Sequence, residues 1–293
     1  MKADNQQKLR RLPIWKGSID VAPLEGGLSN EGYVVSDAVG KHVVRFGDDY
    51  PFHHVSRQRE LMTAKAAFEA GFGPAVEYAE PGVSVFKFIE ARTFGAGDIC
   101  AAPQAIADLL RRFHAAMPAY VSGEAYMFWV FHVIRDYART LEAGGKEARH
   151  LRHYVETADE LEKVQAPLPV IFAHNDLLPA NFLDDGTRLW LIDYEYAGFS
   201  TAMFDLAGVA ANAGMNEAQS LLLLEAYFGA SPSDEILRSF AAMQCAALLR
   251  EAMWSMVSEL YLKAPGADYE AYSQENLSRF RQELETYRTT YGS

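Results

Sequence analysis

His174-Asn175-Asp176-Leu177-Leu178-Pro179-Ala180-Asn181, followed after a short apolar run by Ile192-Asp193-Tyr194-Glu195, is the stretch whose reading decides the fold. The apolar segments Val170-Ile171-Phe172 and Leu189-Trp190-Leu191-Ile192 bracket a polar loop, so a His, an Asp and an Asn in the pattern H-x-D-x-x-x-x-N share one connection. Asp193 ends the second apolar run. Phosphoryl transfer from a nucleotide needs a carboxylate to orient and deprotonate the attacking hydroxyl, and oxygen ligands that hold a metal on the phosphates. Asp176 suits the first role, Asn181 and Asp193 the second, and oxygen donors without His or Cys fit Mg²⁺ rather than zinc. His174 belongs to the same catalytic loop as its brace. Asp and Asn are also ordinary turn residues, so the motif has to be weighed with the rest of the chain.

Working toward the N-terminus, the first ninety or so residues read as β-rich. Gly32–Ser36 and His42–Phe46 flank Asp37-Ala38-Val39-Gly40, a hairpin signal. A helix is expected from Val55 to Ala70, stopped by Gly71-Phe72-Gly73-Pro74, with further strands at Ala75–Tyr78 and Val83–Ile89. Gly26-Gly27-Leu28-Ser29-Asn30 precedes the hairpin, where a glycine-rich loop lets backbone N–H groups approach phosphates. Arg45 lies on the strand after it and Glu60 on the next helix. A Gly-Gly turn or a lone surface charge is ordinary, but the order is informative. Glycine loop, basic strand residue, helix Glu, catalytic loop and metal Asp is the order of protein-kinase-like parts. No G-x-x-x-x-G-K-[ST] occurs, which excludes a P-loop NTPase.

After Glu90–Gly97 the pattern turns helical. Ile106, Leu109, Leu110 and Phe113 form one face of a helix after Pro103, and further helices are expected at Tyr126–Leu141, at Lys146–Val164 and from Met203 onward. Ser231-Pro232-Ser233-Asp234 reads as a helix start capped by Ser231. The 293 residues suffice for two lobes, expected at 1–90 (nucleotide) and 91–293 (catalysis and substrate). With 49% hydrophobic and 12% aromatic residues the chain is globular, not disordered. Two cysteines, Cys100 and Cys245, make a disulfide framework or structural zinc improbable and point to a reducing, cytoplasmic compartment. The 27 Lys+Arg against 39 Asp+Glu give −12, which disfavours a nucleic-acid partner and favours a cationic one. No signal peptide or membrane-spanning stretch is expected.

The phrases His174–Asn181 and Leu191-Ile192-Asp193-Tyr194-Glu195-Tyr196-Ala197-Gly198 resemble the catalytic and metal segments of the choline/ethanolamine kinase family, within the aminoglycoside phosphotransferase-like kinases. Gly26–Asn30 resembles its nucleotide loop, and Gly73-Pro74 with Phe88-Ile89-Glu90-Ala91-Arg92 its hinge. The resemblance covers roughly Leu24 to Tyr287. It implies an α+β, bilobal protein-kinase-like fold with ATP and Mg²⁺ between the lobes. Backbone groups around Lys87, Phe88 and Ile89 would meet the adenine, and the γ-phosphate would pass to the hydroxyl of a small cationic alcohol such as choline. Aromatic faces hold a quaternary ammonium by cation–π attraction, helped by carboxylates. Tyr196, Trp254, Tyr269 and Tyr272 are the candidate faces, with Glu195 and Glu251 as carboxylates. Glu251 stands where typical eukaryotic members carry a second Trp, so ethanolamine or another amino alcohol is an alternative acceptor. Thiamine, an amino sugar or an aminoglycoside is the runner-up, and a catalytically silent nucleotide-binding protein is the reading from a different class.

Overall fold

Alternation along Tyr33-Val34-Val35 and Val43-Val44-Arg45-Phe46 sends every second side chain to one face of a pleated sheet. In this computed structural model, which describes residues 3–24, 31–262 and 267–292, those strands sit at the middle of a five-stranded antiparallel sheet. After helix α1 (Ala3–Arg11) come β1 (Asp20–Leu24), β2 (Glu31–Ser36), β3 (Lys41–Phe46), helix α2 (Arg57–Glu69), β4 (Val76–Glu80) and β5 (Val83–Lys87), in sheet order β1-β2-β3-β5-β4. The β2–β3 turn is tied by the Asp37 carboxylate, which accepts from Val39 N–H at 2.8 Å and Gly40 N–H at 3.1 Å. One sheet face buries Tyr33, Val35, Val44, Phe46, Val83 and Val85 under Leu9 and Leu12. The opposite face carries Val43, Arg45 and Phe86 and lines a cleft.

Helix α2 lies against β4. Ala64, Ala66 and Ala67 join the larger core of the C-terminal part, together with Val55 and Phe72. That part holds α3 (Ala96–Ala101), α4 (Pro103–Ala116), α5 (Val130–Ala143), α6 (Ala148–Glu162), α7 (Ala202–Ala213), α8 (Glu217–Phe228), α9 (Asp234–Tyr261) and α10 (Tyr269–Tyr291). Helix α9 packs against α5, α7 and α10. Fully buried side chains such as Phe113, Phe131 and Ile106 each contribute about 1.5–3 kcal/mol by leaving water. Between the helices run two small antiparallel ladders: β7 (Val170–Ala173) with β10 (Gly198–Thr201), and β6 (Arg92–Thr93) with β8 (Phe182–Asp184) and β9 (Leu189–Leu191). The polar loop of the motif connects β7 to β8.

Two expected boundaries move. Helix α5 starts at Val130 and not at Tyr126, because Tyr126–Trp129 is drawn out beside β10: Phe199 N–H donates to Tyr126 O and Phe128 N–H to Phe199 O, both at 2.8 Å. Close approach there requires a glycine, since a Cβ at Gly198 would lie 2.6 Å from the Tyr126 ring. Helix α9 is capped by Ser233, whose Oγ accepts from Ile236 N–H at 3.4 Å, while Ser231 Oγ donates to Glu225. Cys100 and Cys245 are both free thiols. No helix among the described residues is long and apolar enough to cross a membrane.

Candidate active site

A cleft of about 550 Å³ opens between the sheet and the helical part. Val43 and Arg45 of β3, Glu60 and Ala64 of α2, the Phe86–Ile89 segment, and Asn181, Leu183, Ile192 and Asp193 from the far side line it. Its walls are mainly apolar with a few polar groups at one end, the usual composition of a small-molecule site. Leu24 and Gly32 also line it. The glycine-loop residues between them (Gly26, Gly27, Ser29 and Asn30) lie outside the described residues. The N–H groups of Lys87 and Phe88 are already spent on Ala75 O (2.9 Å) and Lys41 O (3.1 Å), so any hinge N–H offered to a ligand comes from the residues after them.

Arg45 reaches across the cleft. Its Nη2 donates to both oxygens of Asp193 at 3.0 Å, and its Nη1 lies 3.5 Å from Glu60. Glu60 is held more closely by Arg57, at 2.6 Å, and Arg57 also donates to Glu195 at 3.0 Å. The structure therefore brings Arg45, Glu60 and Asp193 together, and adds Arg57. Burial and the neighbouring Asp193 push the Glu195 carboxyl up to about 7, against the opposing Arg57. Glu195 faces this ion-pair network and not the aromatic group. Asp193 has a left-handed backbone (φ 69°), a conformation that few non-glycine residues adopt.

The His174–Asn181 loop is held by buried bonds. Asp205 of α7 accepts from the backbone N–H of His174 (2.8 Å) and Asn175 (2.7 Å) and pairs with His114 Nε2 at 2.8 Å. His174 is fully buried; burial holds its imidazole below the usual range, and its Nε2 donates to Ile192 O at 3.0 Å. That contact joins the loop to the strand leading into Asp193, so His174 acts as a brace. Asn181 Nδ2 donates to Asp176 O at 2.8 Å and fixes which end of the amide is the donor. Burial raises the Asp176 carboxyl well above the ordinary range; Arg250 opposes this, while Glu251, Glu195 and Asp193 are near enough to reinforce it.

Beyond Asp176 the expected aromatic group converges. Trp254 Nε1 donates to Tyr196 OH at 2.8 Å, and the Trp254 ring meets Tyr269 and Tyr272 edge-on with centroids 6.2 and 6.3 Å apart. Tyr272 OH donates to Glu251 at 3.2 Å. Into this group comes Arg250, whose guanidinium carbon stands 4.3 Å from the Tyr196 ring centre while Nη1 donates to Glu251 and, at 3.4 Å, to Asp176.

Residues 21–221 match the family model described as choline/ethanolamine kinase. The chain belongs to that family. Among relatives of this choline/ethanolamine kinase family member, a probable choline kinase 3 of Arabidopsis thaliana is 28% identical over 210 residues, 65% of this chain and 58% of that protein. A probable ethanolamine kinase of the same plant is 30% identical over 166 residues, 52% and 44% respectively. The matches thus span only about half of those relatives' length. The structure of choline kinase LicA from Streptococcus pneumoniae superposes with a TM-score of 0.78, covering 97% of this chain and 98% of that one at 21% identity, a likeness of fold. The fold is the bilobal, protein-kinase-like one.

Three residues escaped the sequence reading: Arg57, Asp205 and Arg250. Asp205 and Arg250 did leave a signal, since each is a charge inside an otherwise apolar helical run, Ala202–Ala213 and Ala246–Met253, where Glu251 is the other charge. A buried charge needs a partner: Asp205 finds His114 and the backbone of His174 and Asn175, and Arg250 finds Glu251 and Asp176. Arg57 opens a helix and looks like any solvated surface charge.

Proposed function

We propose that this chain is an ATP-dependent kinase that transfers the γ-phosphate to the hydroxyl of a small amino alcohol of the choline or ethanolamine type. The observation that carries the reading is the convergence at one cleft of Asn181, Asp193 and Arg45 with the loop that bears Asp176. Residues 1–90 supply the nucleotide side and 91–293 the catalytic and acceptor side. Asp176 accepts the acceptor's proton as the hydroxyl oxygen bonds to the γ-phosphorus and the bond to the β-phosphate oxygen breaks, releasing ADP. Burial strengthens its hold on that proton, and Arg250 favours its ionised form. Arg45, kept on station by Glu60, offers a positive charge to the phosphates.

Asn181 and Asp193 present hard oxygen donors on the cleft wall, a set that fits Mg²⁺. Such an ion takes one or two protein ligands and completes its shell with phosphates and water. When bound it supplies charge neutralisation of the phosphates.

The test is ADP release with Mg-ATP against choline, ethanolamine, thiamine and an aminoglycoside, with Asp176→Asn as the control. Turnover of an amino alcohol that falls about 10²–10⁴-fold in the variant supports the reading. Unchanged turnover in a variant that binds ATP removes Asp176 from its role. No turnover with any acceptor, despite ATP binding, favours a silent nucleotide-binding protein.

A further inference from the structure

The aromatic group next to Asp176 already contains a cation. The guanidinium of Arg250, only 2% exposed, lies over the face of Tyr196 at 4.3 Å, paired with Glu251 and, at 3.4 Å, with Asp176. That face is one a trimethylammonium would need, because a quaternary nitrogen has no N–H to donate and is recognised through ring faces. One face of Trp254 is committed too: its ring stacks on His53 with centroids 5.2 Å apart, while its Nε1 donates to the Tyr196 hydroxyl. The carboxylates give the complementary half of the argument. Asp176 and Glu251 together with Arg250 sum to −1 when ionised, so a ligand of charge +1 balances the group. A cation that donates N–H bonds to a carboxylate can do so without any ring face.

Building on the amino-alcohol kinase reading, we infer that Arg250 is the residue that sets acceptor specificity. As a resident cation on Tyr196 it excludes quaternary ammonium alcohols and leaves Glu251 and its surroundings to an alcohol bearing a primary ammonium. Nε and Nη2 of Arg250 have no protein partner and are shut away from solvent. Its place is set by the Tyr196 ring and the two carboxylates, and exchanging it for a neutral side chain gives up no other bond.

The experiment is direct binding of choline and of ethanolamine, by calorimetry and by tryptophan fluorescence, to the full chain and to Arg250→Met. Binding does not depend on turnover, so the result is separable from whether Asp176 is the base. Wild type is expected to prefer ethanolamine, and Arg250→Met to shift the ratio of the two dissociation constants toward choline by about 30-fold. That shift corresponds to one desolvated cation–π contact of about 2 kcal/mol at 1.4 kcal/mol per tenfold. Tyr196→Leu in the Arg250→Met background is expected to abolish the shift. Arg250→Gln, which keeps a hydrogen-bonding group beside the carboxylates, gives the same comparison if the Met variant does not fold. Choline binding to wild type as tightly as ethanolamine overturns the inference and leaves the kinase reading standing. So does an unchanged ratio in a folded variant that still binds Mg-ATP. Failure of both amines to bind to any of these proteins, with Mg-ATP still bound, overturns both.

Discussion

Replacing Asp205 by alanine removes one carboxylate that serves three donors, the backbone N–H groups of His174 and Asn175 and the ring of His114, at 2.7–2.8 Å. All four residues are at most 2% exposed, so water does not take its place. A buried donor left without an acceptor costs about 1–3 kcal/mol, and relief from burying a carboxylate offsets part of the sum, leaving about 3–5 kcal/mol. For a chain of this size that lowers the midpoint of thermal unfolding by roughly 5–8 °C. Asp205→Asn retains one oxygen and is expected to cost about 1–3 kcal/mol. The assay is urea unfolding followed by circular dichroism and tryptophan fluorescence. A pH series adds a second constraint. Burial raises the Asp205 carboxyl, but the bond and charge of His114 and the backbone N–H bond more than reverse this, so it lies below its ordinary value of 3.8. A depressed folded pKa gives stability that is present above the unfolded value and lost as pH falls through the folded one. The gap between wild type and Asp205→Ala should therefore be flat near neutrality and narrow below about pH 4. A loss under about 1 kcal/mol, or a gap that stays constant down to pH 2, would refute the view that this carboxylate carries the loop.

Glu195→Gln is expected to change the pH dependence in the opposite sense. Because the folded carboxyl is raised to about 7 from 4.5, wild type loses stability as pH rises through that window, and the variant's unfolding free energy should be flatter between pH 4.5 and 7. At Gly73 an added Cβ would lie 2.9 Å from the Tyr194 hydroxyl, which is itself bonded to Leu191 O at 2.8 Å. Gly73→Ala is accordingly expected to cost about 1–3 kcal/mol in chemical unfolding and to weaken ATP affinity, since Pro74 and Tyr194 line the cleft.

What the sequence discloses depends on whether the cause is local. The β2–β3 hairpin, α2, α4 and α6 follow from alternation, helical spacing and turn residues, all visible within a short window. Tyr126–Trp129 has helical spacing too, yet it is extended, because pairing with Phe199 more than seventy residues away outweighs it. The same holds for the site. Asp176, Asn181 and Asp193 stand in a recognisable phrase. Arg250 acquires meaning only from Asp176, a partner 74 residues distant, and Arg57 only from Glu195, 138 residues distant. The aromatic residues could be named in advance, but not that a side chain of the same molecule would occupy the face of Tyr196.

Because α2 rests against β4 and gives its buried alanines to the core of the helical part, while the other face of the sheet is buried under Leu9 and Leu12, the N-terminal part contributes to two separate cores. Amide exchange is expected to differ between the two cores: α2 retains protons with the large one, while the sheet under α1 opens as a separate cooperative unit. The Arg45–Glu60 pair, 3.5 Å apart, ties that sheet to the helix across the cleft.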